Sequence, residues 1–410
     1  MISLHIQDSH IFENYTSQIQ KAHQNFSHLY TNGSVLFPDV DVLVEREKIE
    51  AFARERQGKY DSIVLLGIGG SALGVRAILD AVKGKYYNNL STPKLFICDN
   101  VDPGEISDIV SAIDISKTFF FVISKSGSTL ETLSVYEFFK ERVQEAGLPF
   151  GDHFVVITGE NSKLHKEAAS QGIEYFFLEE NIGGRFSVLT YIGLLPLSLL
   201  GVDVCALLDG VTHVKKRFLS SDIQENTALQ SALVQFDAYQ SNIENTVFFP
   251  YASNLKSLGF WYKQLFGESL GKNNIPANLF VSVGTTDQHS DLQLFVEGKN
   301  DKLFLFLEVE NFRHNPKVLR DEAITFGDIL GISCYGTKKA LTQKGRKNST
   351  ISLENLLEQT IGALIVFFEF QVAYLGELLG INAYDQPGVE ASKKISKQKL
   401  QEKFISSKLF

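Results

Sequence analysis

The sequence predicts an α/β protein of two doubly wound units, each a parallel sheet between two helical layers (an α-β-α sandwich). Two observations predict it. Short runs of continuous apolar, β-branched and aromatic residues recur along the chain, with helical spacing in most of the gaps between them. A strand that is apolar at every position is buried on both faces, as in a parallel sheet whose crossovers cover both sides. The second observation is that this alternation occurs twice, before and after about residue 210.

Taken in order, residues 1–45 show weak periodicity and read as an extension packed on the second unit. The first unit, 46–210, offers strands at 62–66, 95–98, 119–124, 154–158 and 175–178. Helical patterns cover 72–82, 131–146 and the strongly apolar stretch 188–200. The second unit, 211–410, offers strands at 246–250, 279–283 and 303–309, with helices at 226–239, 255–266 and 353–379. The apolar stretch 360–381 contains Glu369, Gln371 and Glu377, so it reads as a core helix and not a membrane span. Residues 338–347 read as a basic polar loop, and the lysine-rich 393–403 as a solvated helix face.

A chain of 410 residues can bury separate cores for two or three domains. Its 44% hydrophobic and 21% charged residues are ordinary for a soluble protein. A net charge of -9 argues against nucleic acid or an anionic membrane as partner, yet leaves room for a locally positive pocket. Cys98, Cys205 and Cys334 lie far apart, without metal-ligand spacing, and read as free thiols of a reduced compartment. The first ten residues mix polar and apolar types and show no leader pattern, which makes the cytoplasm the expected location.

Chemistry concentrates in six segments. Gly67-Ile68-Gly69-Gly70-Ser71 follows the first apolar run and leads into a helix. The dinucleotide spacing G-x-G-x-x-G fails there, because position 72 is Ala, and no phosphate loop of the G-x-x-x-x-G-K-[ST] type occurs. Ser124-Lys125-Ser126-Gly127-Ser128-Thr129 stands at a second strand-to-helix switch. Its hydroxyls, backbone N–H groups and cation fit one anion, with the positive end of the following helix behind them. Gly183-Gly184-Arg185-Phe186-Ser187 lets backbone approach a ligand and aims a guanidinium inward. Gln264 and Glu268, four apart, share a helix face, and Glu268 near the helix end suits a general base. His289 lies beyond the end of a strand, where α/β folds place ligands. Gln386 and Lys393 flank a Pro-Gly turn and a helix start.

In this order the segments GIGGS, SKSGSTLET, GGRFS, QLFGESLGK, GTTDQH and QPGVEASKK resemble the phosphoglucose isomerase (glucose-6-phosphate isomerase) family, within the sugar-isomerase-domain superfamily. The likeness runs from residue 67 to 394. It implies two sugar-isomerase-type domains and the interconversion of glucose 6-phosphate and fructose 6-phosphate through a cis-enediol, in glycolysis and gluconeogenesis. By matching position it implies a phosphate site at Ser124, Lys125, Ser126 and Thr129, with Gly70 and Ser71 holding the sugar. Glu268 would carry the proton between C2 and C1, and Arg185 would stabilise the enediolate. His289 and Lys393 would assist ring opening, and Gln264 and Gln386 would bind hydroxyls and phosphate. In this family the equivalent histidine comes from the neighbouring subunit, which implies a homodimer with a shared site. The chemistry needs no metal or redox cofactor. A non-catalytic sugar-phosphate sensor would dispense with Glu268, Arg185, His289 and Lys393, and all four are present. Acceptance of mannose 6-phosphate as well is left open by base placement alone.

Overall fold

A computed structural model describes residues 1–319 and 323–403. Two five-stranded sheets form, one in each half of the chain. The first contains β2 (Ser62–Leu66), β3 (Lys94–Cys98), β4 (Thr118–Ser124), β5 (Phe154–Thr158) and β6 (Glu174–Phe177), in the order β3-β2-β4-β5-β6 and parallel throughout. Every residue of β2, β4 and β5 is buried, which is why these strands read as continuous apolar runs. The edge strand β6 is mostly exposed.

The second sheet contains β7 (Asn245–Pro250), β8 (Asn278–Val281), β9 (Lys302–Val309) and β10 (Asn348–Leu353). Its order is β8-β7-β9-β10, parallel, and so repeats the winding of the first sheet. In place of a fifth parallel strand, β1 (Ile2–Ile6) pairs antiparallel with β10, Ile2 opposite Leu353. The second sheet is therefore mixed at one edge, where the sequence pattern led us to expect parallel strands only. Two other expectations are corrected. Residues 348–353 are strand, so the long C-terminal helix begins at Glu358 and not at 353. The basic stretch from 338 is helical as far as Gln343, within the helix Phe326–Gln343, and only its end is loop.

The helix Glu358–Leu379 is the centre of the molecule. Thr360 to Gly376 are all buried, against the helices Thr16–Thr31, Val204–Phe218, Thr227–Gln240 and Lys256–Leu270. It has the length and composition of a membrane span, but its surroundings are the protein's own core. One apolar cluster runs through both halves of the chain. The helix Val204–Phe218 crosses residue 210, so the two sheets are joined by shared helices without a linker.

The winding fixes where a ligand can go. In the first sheet β2 connects outward to β3, and the chain then returns to β4 on the other side. Loops leaving the C-terminal ends of β2 and β4 diverge, and the crevice between them is the usual ligand position of an open α/β sheet.

Candidate active site

A cleft of ≈ 420 Å³ opens at that crevice. Its lining includes Gly70, Ser71, Ser124, Lys125, Ser126, Thr129, Arg185, Gln264, Glu268, Gln386 and Lys393. Of the residues singled out from the sequence, only His289 lies elsewhere. A larger groove, ≈ 920 Å³, lies at the opposite ends of β2 and β3, lined among others by Arg56, Asp61, Lys83 and Cys205. We place the chemistry in the smaller cleft, because Arg56 and Lys83 in the larger one are already held by Glu174 and Glu358.

One wall is an anion cradle. Thr129 is the N-cap of the helix Leu130–Glu145, and its side chain caps none of the helix's N–H groups. Its hydroxyl instead meets Ser124 Oγ at 2.9 Å. The first-turn N–H groups are thus left for a ligand, backed by the helix dipole. Ser126 Oγ accepts from the backbone N–H and hydroxyl of Ser128, which folds the loop back on itself. Thr132, one turn into the helix, lines the cleft and has a buried hydroxyl without a partner.

Lys125 lines the cleft beside these hydroxyls, and its ammonium is engaged by the protein itself. Its Nζ donates to the carbonyls of Glu180 (2.7 Å) and Ile182 (2.8 Å). Burial pushes its pKa down. The ammonium thus ties the hydroxyl loop to the segment that carries Arg185.

The opposite wall is the helix Lys256–Leu270, from the second half of the chain. Gln264 Nε2 donates to Glu268 Oε1 at 3.0 Å, one helical turn on. Gln264 Oε1 is buried and unpartnered. The glycine turn leaves no spare space. At Gly69, with φ +60°, an added Cβ would stand 2.7 Å from Gln264 Nε2. At Gly70 it would stand 2.3 Å from the carbonyl oxygen of Gly184. The two glycine loops therefore meet backbone to backbone, which only glycine permits here.

Arg185 lies at the floor, 2% exposed, on the short turn Gly184–Phe186. Nε donates to Ser269 Oγ at 2.6 Å, Nη1 to Gln386 Oε1 at 2.6 Å, and Nη2 to the carbonyls of Ala383 (2.6 Å) and Asp385 (3.0 Å). Nη1 is also 3.5 Å from Glu268 Oε2. Burial lowers its pKa, opposed by Glu268 and then Asp385, and a guanidinium stays charged through such a shift. Lys272, just past the helix end, pairs with Asp385 at 2.8 Å and reaches the carbonyl of Asn382. The strap 382–386 is thus pinned from two sides by cations.

Lys393 sits at the rim, 64% exposed, paired with Glu390 at 2.9 Å within its own helix Glu390–Lys403. His289 is exposed on the helix Gln288–Glu297 and outside the cleft of its own chain. Sequence reasoning missed Ser269, Thr132 and the carbonyls of Ala383 and Asp385. The two hydroxyls lie inside the recognised segments, next to residues that were chosen. Backbone carbonyls leave no trace in a sequence. Among the described residues no group of three or more His, Cys, Asp or Glu gathers as for a metal ion.

Comparison with known proteins agrees with this geometry. A model of the phosphoglucose isomerase family matches residues 27–300 and 336–409. The chain is 37% identical over 380 residues to the glucose-6-phosphate isomerase of Methanocaldococcus jannaschii, covering 91% of this chain and 92% of that one. It is 37% identical over 392 residues to that of Carboxydothermus hydrogenoformans, covering 88% and 84%. Among solved structures, a hypothetical protein from Thermus thermophilus superposes with a TM-score of 0.90 at 29% identity, covering 98% of this chain and all of that one. A glucose-6-phosphate isomerase from Chlamydia trachomatis superposes with a TM-score of 0.79 at 27% identity, covering 87% of this chain and 72% of that one. Five of the six segments meet at one cleft, and with a family model matching most of its length the chain belongs to the phosphoglucose isomerase family.

Proposed function

We propose that the chain is an aldose–ketose isomerase that interconverts D-glucose 6-phosphate and D-fructose 6-phosphate, a step of glycolysis and gluconeogenesis in the cytoplasm. The observation that carries this reading is the placement of Glu268. Its carboxylate stands across the cleft from the anion cradle, between a neutral amide and a buried guanidinium.

The substrate phosphate lies on the hydroxyls of Ser124, Ser126 and Thr129 and on the free N–H groups of the helix Leu130–Glu145. Lys125 holds that loop in place. Gly70 and Ser71 border the sugar, and Gln264 Oε1 accepts from one of its hydroxyls. Glu268 takes the proton from C2 of the open-chain aldose. The C–H electron pair forms the C1–C2 double bond, and O1 takes up negative charge. The fixed positive charge of Arg185 stabilises that charge without titrating. The O2 proton passes to O1, the proton on Glu268 returns to C1, and the carbonyl is then at C2. Lys393 at the rim, with its helix carried closer, assists ring opening.

His289 completes the site from a second copy of the chain. Its exposure outside its own cleft supports this, as does the apolar face beside it. Phe326, Ile329, Ile332 and Tyr335, three apart on the helix Phe326–Gln343, are exposed, with Leu294 exposed on the His289 helix. The homodimer forms on that face. The net charge of -9 argues against nucleic acid or an anionic membrane as partner.

A coupled assay of fructose 6-phosphate conversion, run on wild type and Glu268→Gln, tests the reading. Turnover that collapses in the variant supports it. A folded wild type without activity sinks it.

A further inference from the structure

The stretch 180–186 carries two different parts of the cleft. The carbonyls of Glu180 and Ile182 hold the ammonium of Lys125, and Arg185 lies on the turn that follows. Irregular backbone keeps two carbonyls on one ammonium only where other contacts hold it still. Those contacts come from the segment 33–37, which lies far earlier in the chain.

Asn181, between the two carbonyls, is bonded to that segment twice. Its Nδ2 donates to the carbonyl of Gly33, 148 residues away in sequence, at 2.7 Å. Its own carbonyl accepts from the N–H of Leu36 at 3.4 Å. Further on, the ring of Phe186 lies 5.1 Å from that of Phe37 and 5.7 Å from that of Tyr384. The segment 33–37 therefore grips 180–186 near both of its ends.

The segment is itself well anchored. The N–H of Gly33 returns to the carbonyl of Tyr30, and those of Ser34 and Val35 to the carbonyl of Leu29, at the end of the helix Thr16–Thr31. Gly33 takes φ +78°, the left-handed value common just past a helix end. Phe37 is 1% exposed and packs on Phe26 and on Phe370 of the central helix Glu358–Leu379.

We propose that Asn181 is a positioning residue for the phosphate site and acts through Lys125. It clips 180–182 to the N-terminal segment 33–37, and so keeps the carbonyls of Glu180 and Ile182 where they hold the Lys125 ammonium. Lys125 stands between Ser124 and Ser126 in sequence, so a loosened Lys125 lets both hydroxyls shift. This rests on the phosphate placement of the isomerase reading above.

Asn181 is exposed, so Asn181→Ala should fold, and its melting curve checks that. Calorimetry with inorganic phosphate reads the phosphate site alone, and a coupled assay with fructose 6-phosphate separates KM from kcat. Asn181→Ala is expected to raise the phosphate Kd and the KM about 2–10-fold, the range that one lost hydrogen bond gives, with kcat nearly unchanged. Unchanged phosphate affinity would overturn the proposal. A loss confined to kcat would also overturn it, by placing the effect on the Arg185 turn. In a Lys125→Met background, Asn181→Ala should weaken phosphate no further, because no ammonium is left to hold. Losses that multiply there would show that Asn181 acts by another route. A wild type that binds no phosphate would overturn the proposal together with the phosphate site. A wild type that binds phosphate without turning over fructose 6-phosphate would defeat the isomerase reading, and the calorimetric comparison would still decide the role of Asn181.

Discussion

Glu268 carries two opposed neighbours on one carboxylate, an amide donor at Oε1 and a guanidinium at Oε2. Both hold the oxygens in place while leaving an edge toward the cleft. Glu268→Gln keeps the shape and removes the proposed base. We expect it to lose about 10²–10⁴-fold in turnover with an unchanged melting temperature, and near-normal turnover would remove Glu268 from the role. The next residue-scale prediction concerns Gly70. A methyl group there would press on the Gly184 carbonyl and push the Arg185 turn outward. Gly70→Ala is expected to fold and to lose about 10²-fold in kcat, the order of effect that a displacement near 1 Å has elsewhere. A fully active Gly70→Ala would mean that the two loops separate freely. Lys125 shows what a sequence hides at this scale. Beside so many hydroxyls it reads as an anion ligand, and nothing local announces that its ammonium also holds two carbonyls more than fifty residues on.

At the scale of elements, the helix Glu358–Leu379 encloses a carboxyl that the chemistry does not use. Glu369 is fully buried, neither of its oxygens has a hydrogen-bond partner, and burial holds its pKa well above the ordinary value. The folded state therefore keeps a proton that the unfolded chain gives up near the usual carboxylate pKa. Below that pH both states are protonated and the group is neutral in its effect. As pH rises beyond it, the unfolded state binds fewer protons and stability falls, up to the raised folded value. Glu369→Gln removes this slope. The variant should melt higher than wild type at pH 8, with the gap closing toward pH 4. Each 1 kcal/mol should show as about 2 °C or less in a chain longer than 250 residues. A gap independent of pH would contradict the account. Elements also show what was legible beforehand. β2, β4 and β5 were read from their apolar runs, and the glycine and hydroxyl loops from their local composition. β10 was not, since Asn348, Ser349, Thr350 and Ser352 are polar and yet buried by their neighbours in the sheet. β1 is an alternating edge strand, and nothing near it in the sequence announces a partner near residue 350. The strap 382–386 works through carbonyls, so its grip on Arg185 was invisible too.

At the scale of the whole molecule, the cleft needs both halves of the chain, and on our reading a second copy as well. The loop proposed to cradle the anion comes from the first sheet, and the proposed base from a helix after β7. If His289 crosses to the neighbouring subunit, Glu268→Gln and His289→Ala chains should each be inactive alone. Mixed and reassociated, they should recover about a quarter of wild-type activity, since random pairing leaves one intact site in half of the dimers. No recovery, with heterodimers shown to form, would confine the site to one chain. Charge on the apolar face, as in Ile329→Asp with Ile332→Asp, should yield monomers in ultracentrifugation and abolish turnover. An active monomer would refute the shared site.

The pairing of β1 with β10 also sets a timetable. Ile2–Ile6 is made long before its partner Asn348–Leu353, with nearly all of the described chain between them. During synthesis, at about 5–20 residues per second, the opening strand waits on the order of tens of seconds for its neighbour. The first sheet has all of its strands by residue 177 and can close early. The second cannot finish its edge until Leu353 has left the ribosome. Between the two, a growing chain therefore carries an unpaired β segment at Ile2–Ile6, and a nascent-chain protease assay should find that segment cut readily until residue 353 has emerged.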